Sequence, residues 1–302
     1  MVHQTSAAYY RCMESDNLLR LGTCSWKYSS WKGLVYSKAR PANYLQEYCS
    51  HYSTVEVDQW FWSLFAGNTV VLPKADVVRE YLLSVPDDFK FGVKVPNSIT
   101  LTHHYSQNTS PVVNPHFLSV GLMERFLQSI EPLWQKLGPL IFQFEYLNKQ
   151  KMANQQEFME RFAGFAERLS KNFHYAVEIR NPNYLNDRYF EFLVSRKMSH
   201  VFLHGYYMPP IFEIYRKYKR YFSGNVVIRL HGRDRKKIEE LTNKKWDKRV
   251  APQDRDIDSL TEMLADLQSR RVFTYLYVNN HFEGSAPRTI AKLAEKLQSL
   301  DA

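Results

Sequence analysis

The chain has 302 residues, 44% of them hydrophobic, 24% charged and 15% aromatic, with a formal net charge of +9. This is the composition of an ordinary folded protein, and it excludes a disordered or collagen-like chain. The absence of any apolar run of about 18 residues excludes a membrane-spanning helix from the expectations.

The cysteines, Cys12, Cys24 and Cys49, are odd in number and show no CxxC spacing. Neither a disulfide framework nor a cysteine-rich zinc motif is indicated, which fits a reducing compartment. Residues 1–17 are polar and lack the apolar segment of a secretory signal. They read as a flexible extension ahead of one domain spanning residues 18–302, and the expected location is cytoplasmic. The positive charge points to an anionic partner, either a small molecule or nucleic acid. Nothing in the sequence indicates a membrane or a protein partner.

Eight short β-branched or aromatic runs alternate with helical patterns. The first, Leu19 to Trp26, precedes a helix near Pro41 to Tyr52, where proline occupies a favoured starting position. Thr54 to Phe61 is followed by helical Lys74 to Ser84, and Phe89 to Pro96 by a long loop, 97–114. A helix over Met123 to Leu137 ends at Gly138-Pro139 and leads to a strand over Leu140 to Tyr146. Helix Gln155 to Leu169, strand Tyr175 to Asn181, helix Asp187 to Lys197 and strand His200 to Gly205 come next. Residues 206–222 carry only a weak helical pattern. The seventh strand is Val226 to Gly232, followed by a basic loop, 233–256, and an amphipathic helix, Asp258 to Arg270. Strand Phe273 to Asn280 and a helix from Pro287 to Leu300 complete the chain.

Eight β-then-α units predict an α/β fold, a single (β/α)8 TIM-type barrel. A doubly wound open sheet is the alternative, but it ordinarily carries a glycine-rich phosphate turn after its first strand, and Gly22-Thr-Cys-Ser has no such pattern.

In a barrel of this type the active site lies at the C-terminal ends of the strands. Side chains alternate between the two faces of a strand, so one parity faces inward. The inward set presents Glu56 and Asp58, Lys94, Gln143 and Glu145, Glu178 and Arg180, Arg229 and His231, then Tyr275, Tyr277 and Asn279. His204 joins from the sixth strand, whose parity is ambiguous. Unpaired charge is expensive to bury, so this set is either a neutralising network that fixes the strands or a functional pocket.

As a pocket it offers general acids and bases in Glu178, His231, Glu56 and Asp58. It offers anion-binding groups in Arg180, Arg229 and Lys94, with Gln143, His204, Asn279 and Asn280 as polar lining. Trp26, Trp31 and Phe61 leave the first two strands as walls able to stack on a base or sugar, or as simple core. Glu178, His204, His231 and Asp58 are ligand types that a divalent metal accepts, although no HxxxH or HExxH spacing supports a metal. Between Arg216 and Arg249, twelve lysines and arginines besides Arg229 give a basic stretch that reads as solvated surface or as a phosphate-facing one.

The chain also resembles the YecE-like family, domain of unknown function 72. The resemblance is carried by Gly22-Thr-Cys-Ser-Trp26 with Trp31, Thr54-Val-Glu-Val with Phe61, Phe89-Lys-Phe-Gly-Val-Lys94 and Phe142-Gln-Phe144. It continues through Ala176-Val-Glu-Ile-Arg180, Ile228-Arg-Leu-His-Gly232 and Asn279-Asn-His-Phe-Glu-Gly-Ser-Ala286. It implies a barrel with a polar pocket and supplies no activity. Departures are Asp58 for the usual Asn, Asn181 for His and Tyr184 for Trp.

The expected function is that of an enzyme, a hydrolase in its most concrete form, acting on an anionic, phosphate-bearing substrate such as a nucleotide or nucleic acid. A divalent metal is a candidate cofactor. The alternatives are a non-catalytic nucleic-acid-binding protein and a sugar- or metabolite-binding protein.

Overall fold

Alternation along the strands sets the architecture. Val55, Val57, Phe91, Val93, Phe142, Phe144, Val177, Ile179, Val226, Ile228 and Leu230 occupy the parity opposite the polar set, and all are at most 1% exposed. A sheet greasy on that parity along every strand needs helices to cover it, which is the (β/α) plan. The computed structural model describes residues 18–105 and 112–301. The expectation for residues 1–17, Cys12 among them, and the middle of the 97–114 loop lie outside the described residues.

Ten strands and ten α-helices are described: β1 Leu19–Thr23, α1 Tyr44–Tyr48, β2 Thr54–Val57, β3 Leu64–Phe65, β4 Thr69–Val70, α2 Ala75–Ser84, β5 Lys90–Lys94, α3 Asn97–Thr100, α4 Val120–Ser129 and β6 Leu137–Gln143. Then come α5 Gln155–Ala166, β7 Tyr175–Glu178, α6 Asp187–Ser195, β8 Ser199–Gly205, α7 Ile211–Tyr218, β9 Asn225–Gly232, α8 Arg235–Thr242, α9 Asp254–Ser269, β10 Phe273–Val278 and α10 Ala286–Asp301. Eight strands follow the order β1-β10-β9-β8-β7-β6-β5-β2, and their ladders are parallel. This is a (β/α)8 TIM-type barrel, as the sequence predicts. The two remaining strands, β3 and β4, form a small antiparallel hairpin that the sequence does not announce.

The described residues group into two compact units, one of residues 18–56, 84–90 and 202–301, the other of residues 57–83, 91–105 and 112–201. In the first, α9 packs on β10, α10 packs on β1, and the two helices touch. In the second, Phe142 and Phe144 meet Phe158, Phe162 and Phe165 of α5 largely edge-on, an arrangement that suits the ring quadrupoles. Asparagines start both flanking helices there: Asn154 Oδ1 accepts from Glu157 N–H at 3.0 Å and Asn186 Oδ1 from Tyr189 N–H at 3.2 Å.

The expected 97–114 loop opens with a short helix, α3, and two further elements differ from the sequence reading. The 233–256 segment contains a helix, α8, where a loop is expected. Asp234 caps it by accepting from Lys237 N–H at 3.0 Å, and Arg235 pairs with Glu239 one turn on at 2.6 Å. Further upstream, the helix expected to Leu137 ends at Ser129, and a 3-10 turn runs from Glu131 to Lys136. Gly138 and Pro139 then lie inside β6, whose first residue, Leu137, pairs with Phe91.

The ends of the strand order, β1 and β2, approach each other within the first unit. A Cβ on Gly22 would collide with the Thr54 carbonyl, so only glycine permits this approach. Tyr48 then supplies what a ladder would. Thr23 N–H donates to the Tyr48 hydroxyl at 3.0 Å, and that hydroxyl donates to the Thr54 carbonyl at 3.0 Å. Removing the hydroxyl leaves a buried donor and a buried acceptor without this bridge. Tyr48→Phe is therefore expected to lower stability by about 1–3 kcal/mol, measured by urea unfolding, with the urea dependence unchanged.

Candidate functional site

Two strand ends of the first unit meet in one buried ion pair. Arg229 on β9 donates from Nε to Glu56 Oε2 at 2.6 Å and from Nη2 to Glu56 Oε1 at 2.7 Å. Neither side chain is more than 1% exposed. The two-point geometry satisfies both carboxylate oxygens and fixes the plane of each group. Tyr277 lies opposite Arg229 in the β9–β10 ladder and its hydroxyl is 3.2 Å from Thr54 Oγ1. Burial above all, with the charge of Glu56 among the lesser causes, pushes the Tyr277 phenol well above its ordinary value, so it stays neutral.

Two residues beyond Arg229, the half-buried His231 stands at the end of the same strand face. Its Nε2 is 3.7 Å from Cys24 Sγ and its Nδ1 is 3.4 Å from the Tyr206 hydroxyl. Cys24, just past β1, is 3% exposed, and its N–H donates to the Val278 carbonyl at 3.0 Å. A thiol sulfur, an imidazole nitrogen and a Glu56 carboxylate oxygen thus lie within 4.8 Å of one another. Gly232 ends the strand with φ +78°, and a Cβ there would collide with the His281 carbonyl. The backbone turn that positions His231 therefore requires glycine.

The other residues of this unit that the sequence singles out have partners of their own. Trp26 and Trp31 are 1% and 0% exposed, Trp31 stacks on Tyr36, and the Tyr36 hydroxyl donates to the Trp26 carbonyl. Both indoles are core. His204 Nε2 meets Asp256 Oδ2 at 2.9 Å, with the ring between Phe212 and Phe282. Asn279 Oδ1 faces His281 Nδ1 at 2.6 Å, and His281 Nε2 meets Glu239 Oε1 at 3.0 Å, tying α8 to the end of β10. Burial lowers the His281 pKa, against the opposing pull of Glu239. Asn280 Oδ1 accepts from Ala286 N–H at 2.9 Å and so holds the start of α10.

A second buried carboxylate, Glu283, escapes the sequence reading. It accepts from Arg249 Nε at 2.9 Å and Nη2 at 2.6 Å, from Gln253 N–H at 2.7 Å and from the Thr289 hydroxyl at 2.6 Å. The basic segment is therefore partly internal. Arg249 also pairs with Asp254, Glu239 takes Arg235 and Lys244, and Lys236 faces Glu240 at 3.9 Å, while Arg233, Lys237, Lys245 and Lys248 are exposed.

The second unit carries its own polar residues at strand ends. Glu178, fully buried at the end of β7, accepts on Oε1 from Arg180 Nε at 2.9 Å, and Gln143 stands opposite it in the β6–β7 ladder. The Lys94 ammonium sits 3.9 Å from the Phe61 ring centroid, a cation–π contact for a residue only 8% exposed. Asp58 is half-buried just beyond β2, and its charge is among the causes raising the Tyr81 phenol, after burial and Glu80. Asn181 pins Leu147 by both amide atoms, at 2.8 and 2.9 Å. Glu56 and Asp58, neighbours on one strand face in the sequence reading, belong to different units.

Cys24 and Tyr206 are the cluster residues that sequence reasoning missed. Cys24 shares its parity with Arg20 and Gly22 along β1, so applying the alternation rule to that strand finds it. No local signal marks Tyr206.

The family model described as "Protein of unknown function DUF72" matches residues 20–302. The chain belongs to the DUF72 family. Within DUF72, solved structures support the fold. A Thermotoga maritima MSB8 member is 22% identical with a TM-score of 0.63, over 95% of this chain and 100% of that one. An Enterococcus faecalis V583 member is 22% identical with a TM-score of 0.59, over 93% and 94% of the two chains. The UPF0759 protein YecE of Escherichia coli K12 is 24% identical over 169 residues, 55% of this chain and 50% of that protein. The chain thus spans about half the length of that curated relative in the match. DUF72 membership accounts for the barrel and leaves the chemistry to the side chains.

Two histidines of the second unit, the buried His200 and the half-buried His174, predict an acid-side fall in stability. Burial lowers His200 from 6.5 to about 3, against a smaller upward pull from Glu178, and lowers His174 from 6.5 to about 4. Above the unfolded value both forms are neutral and contribute nothing to the pH dependence. As pH falls through 6.5, the unfolded chain takes up protons that the folded chain refuses, so stability drops. Unfolding free energy measured by urea titration is expected to fall steadily between pH 6.5 and 4.5, above most carboxylate titrations. In His200→Asn that slope is expected to be shallower.

Proposed function

We propose that this protein is an enzyme that acts on an anionic, phosphate-bearing substrate at the ends of β1, β2 and β9, with hydrolysis of a phosphate ester as the reaction. The observation that carries this reading is His231. With Tyr206 it forms the half-exposed side of the polar cluster, held between the buried Cys24 thiol and the Tyr206 hydroxyl beside the buried Arg229–Glu56 pair. An oriented imidazole open to solvent on one side is suited to move a proton to or from a leaving oxygen or an attacking water. Immediately past Gly232, exposed Arg233 and Lys237 supply positive potential that draws in an anion. Nucleotides and nucleic acids are within this substrate class.

Arg229 is cast differently here than in the sequence reading. Two of its donors are committed to Glu56, so it sets the carboxylate rather than gripping the substrate alone. Simple nucleic-acid binding through the basic stretch is a weaker reading, because Arg235, Lys244 and Arg249 each face a carboxylate.

The test is turnover of a panel of phosphate mono- and diesters, including p-nitrophenyl phosphate, bis(p-nitrophenyl) phosphate and nucleotides. His231→Gln is expected to lower kcat/KM by about 10²–10⁴-fold while the protein stays folded by circular dichroism. Turnover unaffected by that substitution, or no turnover of any phosphate ester, removes the proposal.

A further inference from the structure

The geometry points to a metal site: we propose that Cys24 Sγ, one Glu56 carboxylate oxygen and His231 Nε2 hold a divalent ion of the zinc type. The inference rests on reading this cluster as the reacting centre, with His231 then a ligand and the proton role passing to water in the fourth position, but it is read out by metal binding alone. Three donors from three strand ends already lie within 4.8 Å of one another. With ordinary Zn–S, Zn–N and Zn–O lengths, the donors of a tetrahedral site are about 3.3–3.7 Å apart. Cys24 Sγ and His231 Nε2 are 3.7 Å apart without any ion. No donor pair has to close by more than about 1.5 Å to reach a metal.

The donor set selects the ion. Thiolate, imidazole and carboxylate together suit Zn²⁺ and its neighbours Co²⁺ and Fe²⁺, whereas Mg²⁺ and Ca²⁺ prefer oxygen throughout. Three protein ligands leave a fourth position for water or substrate, the pattern of catalytic rather than structural zinc sites. Cys24 and Glu56 are buried, and His231 is the half-exposed side from which a fourth ligand enters.

Groups around the ligands fit the same role. With Nε2 on the metal, His231 Nδ1 carries the proton and faces the Tyr206 hydroxyl at 3.4 Å, which sets the tautomer and the ring plane. Arg229 holds both Glu56 oxygens by one hydrogen bond each, and each oxygen keeps a further lone pair for a metal. The charges also balance. A dication with a thiolate, a carboxylate and the guanidinium sums to +1, which an anionic substrate or hydroxide offsets.

The experiment is a titration of the full, chelator-stripped chain with Co²⁺, read by absorption spectroscopy. One equivalent is expected to bind with a thiolate-to-cobalt charge-transfer band, and Zn²⁺ is expected to displace it. Cys24→Ser is expected to abolish the band and His231→Gln to weaken binding, each with its fold verified by circular dichroism. Tyr206→Phe, which leaves all three ligands in place, is expected to lower affinity by about tenfold. Absence of a thiolate band in the wild-type chain overturns the proposal without reference to any variant, and so does stoichiometric binding that survives Cys24→Ser unchanged. Metal bound through Cys24 without turnover of any phosphate ester upholds the site and removes the enzymatic proposal. Turnover by chain that binds no metal does the reverse.

Discussion

The buried pair between Arg229 and Glu56 is the constraint on which the strand-end cluster depends. A lone charge at that depth is so costly that the chain must either neutralise it or give it a partner. The bidentate contact joins residues 173 positions apart in the sequence. It also explains why β9 places an arginine and a histidine on one face: Arg229 is committed inward to Glu56, and His231, two residues on, is left at the rim. Removing one member alone strands the other, a loss of about 3–5 kcal/mol. The pair is thus weak evidence of stability in itself and strong evidence of a fixed geometry.

The same logic recurs nearby. Arg249 forks onto Glu283, which is wholly buried and also takes a backbone N–H and a hydroxyl. That interaction folds the end of the basic stretch inward, while Arg233, Lys237, Lys245 and Lys248 stay exposed. Tyr48 and Gly22 manage the place where β1 and β2 meet. Glycine allows the backbones to approach, and a phenol takes the two peptide groups that a ladder would have paired. Each device puts a particular residue type where no other satisfies both the space and the hydrogen bonds.

Strand alternation made the barrel legible in the sequence, because a period of two is visible without tertiary knowledge. It also identified Glu56, Arg229 and His231 as facing one way. What it could not supply was pairing. Arg229 reads as an anion clamp until Glu56 is seen to occupy it, and Trp26 and Trp31 read as stacking walls until their burial is known. Cysteine spacing along the chain does not point to Cys24, because it carries no information about three strands converging in space. Helix α8 was hidden because only Ile238 and Thr242 of its residues are buried, so its apolar periodicity is faint. Gly138-Pro139 looked like a helix stop, and became the start of a strand because Leu137 pairs with Phe91.

Taken together, the first unit presents a sulfur, a nitrogen and an oxygen donor at three strand ends, stiffened by a buried guanidinium and opening beside exposed cations. The most direct measurement is anomalous diffraction at the zinc edge from crystals of the full chain grown with zinc. The account predicts one peak about 2.0–2.3 Å from Cys24 Sγ, His231 Nε2 and a Glu56 oxygen, with the Arg229 fork still on the carboxylate. A map with no peak between those atoms, and with the thiol still in contact with the imidazole, would contradict it.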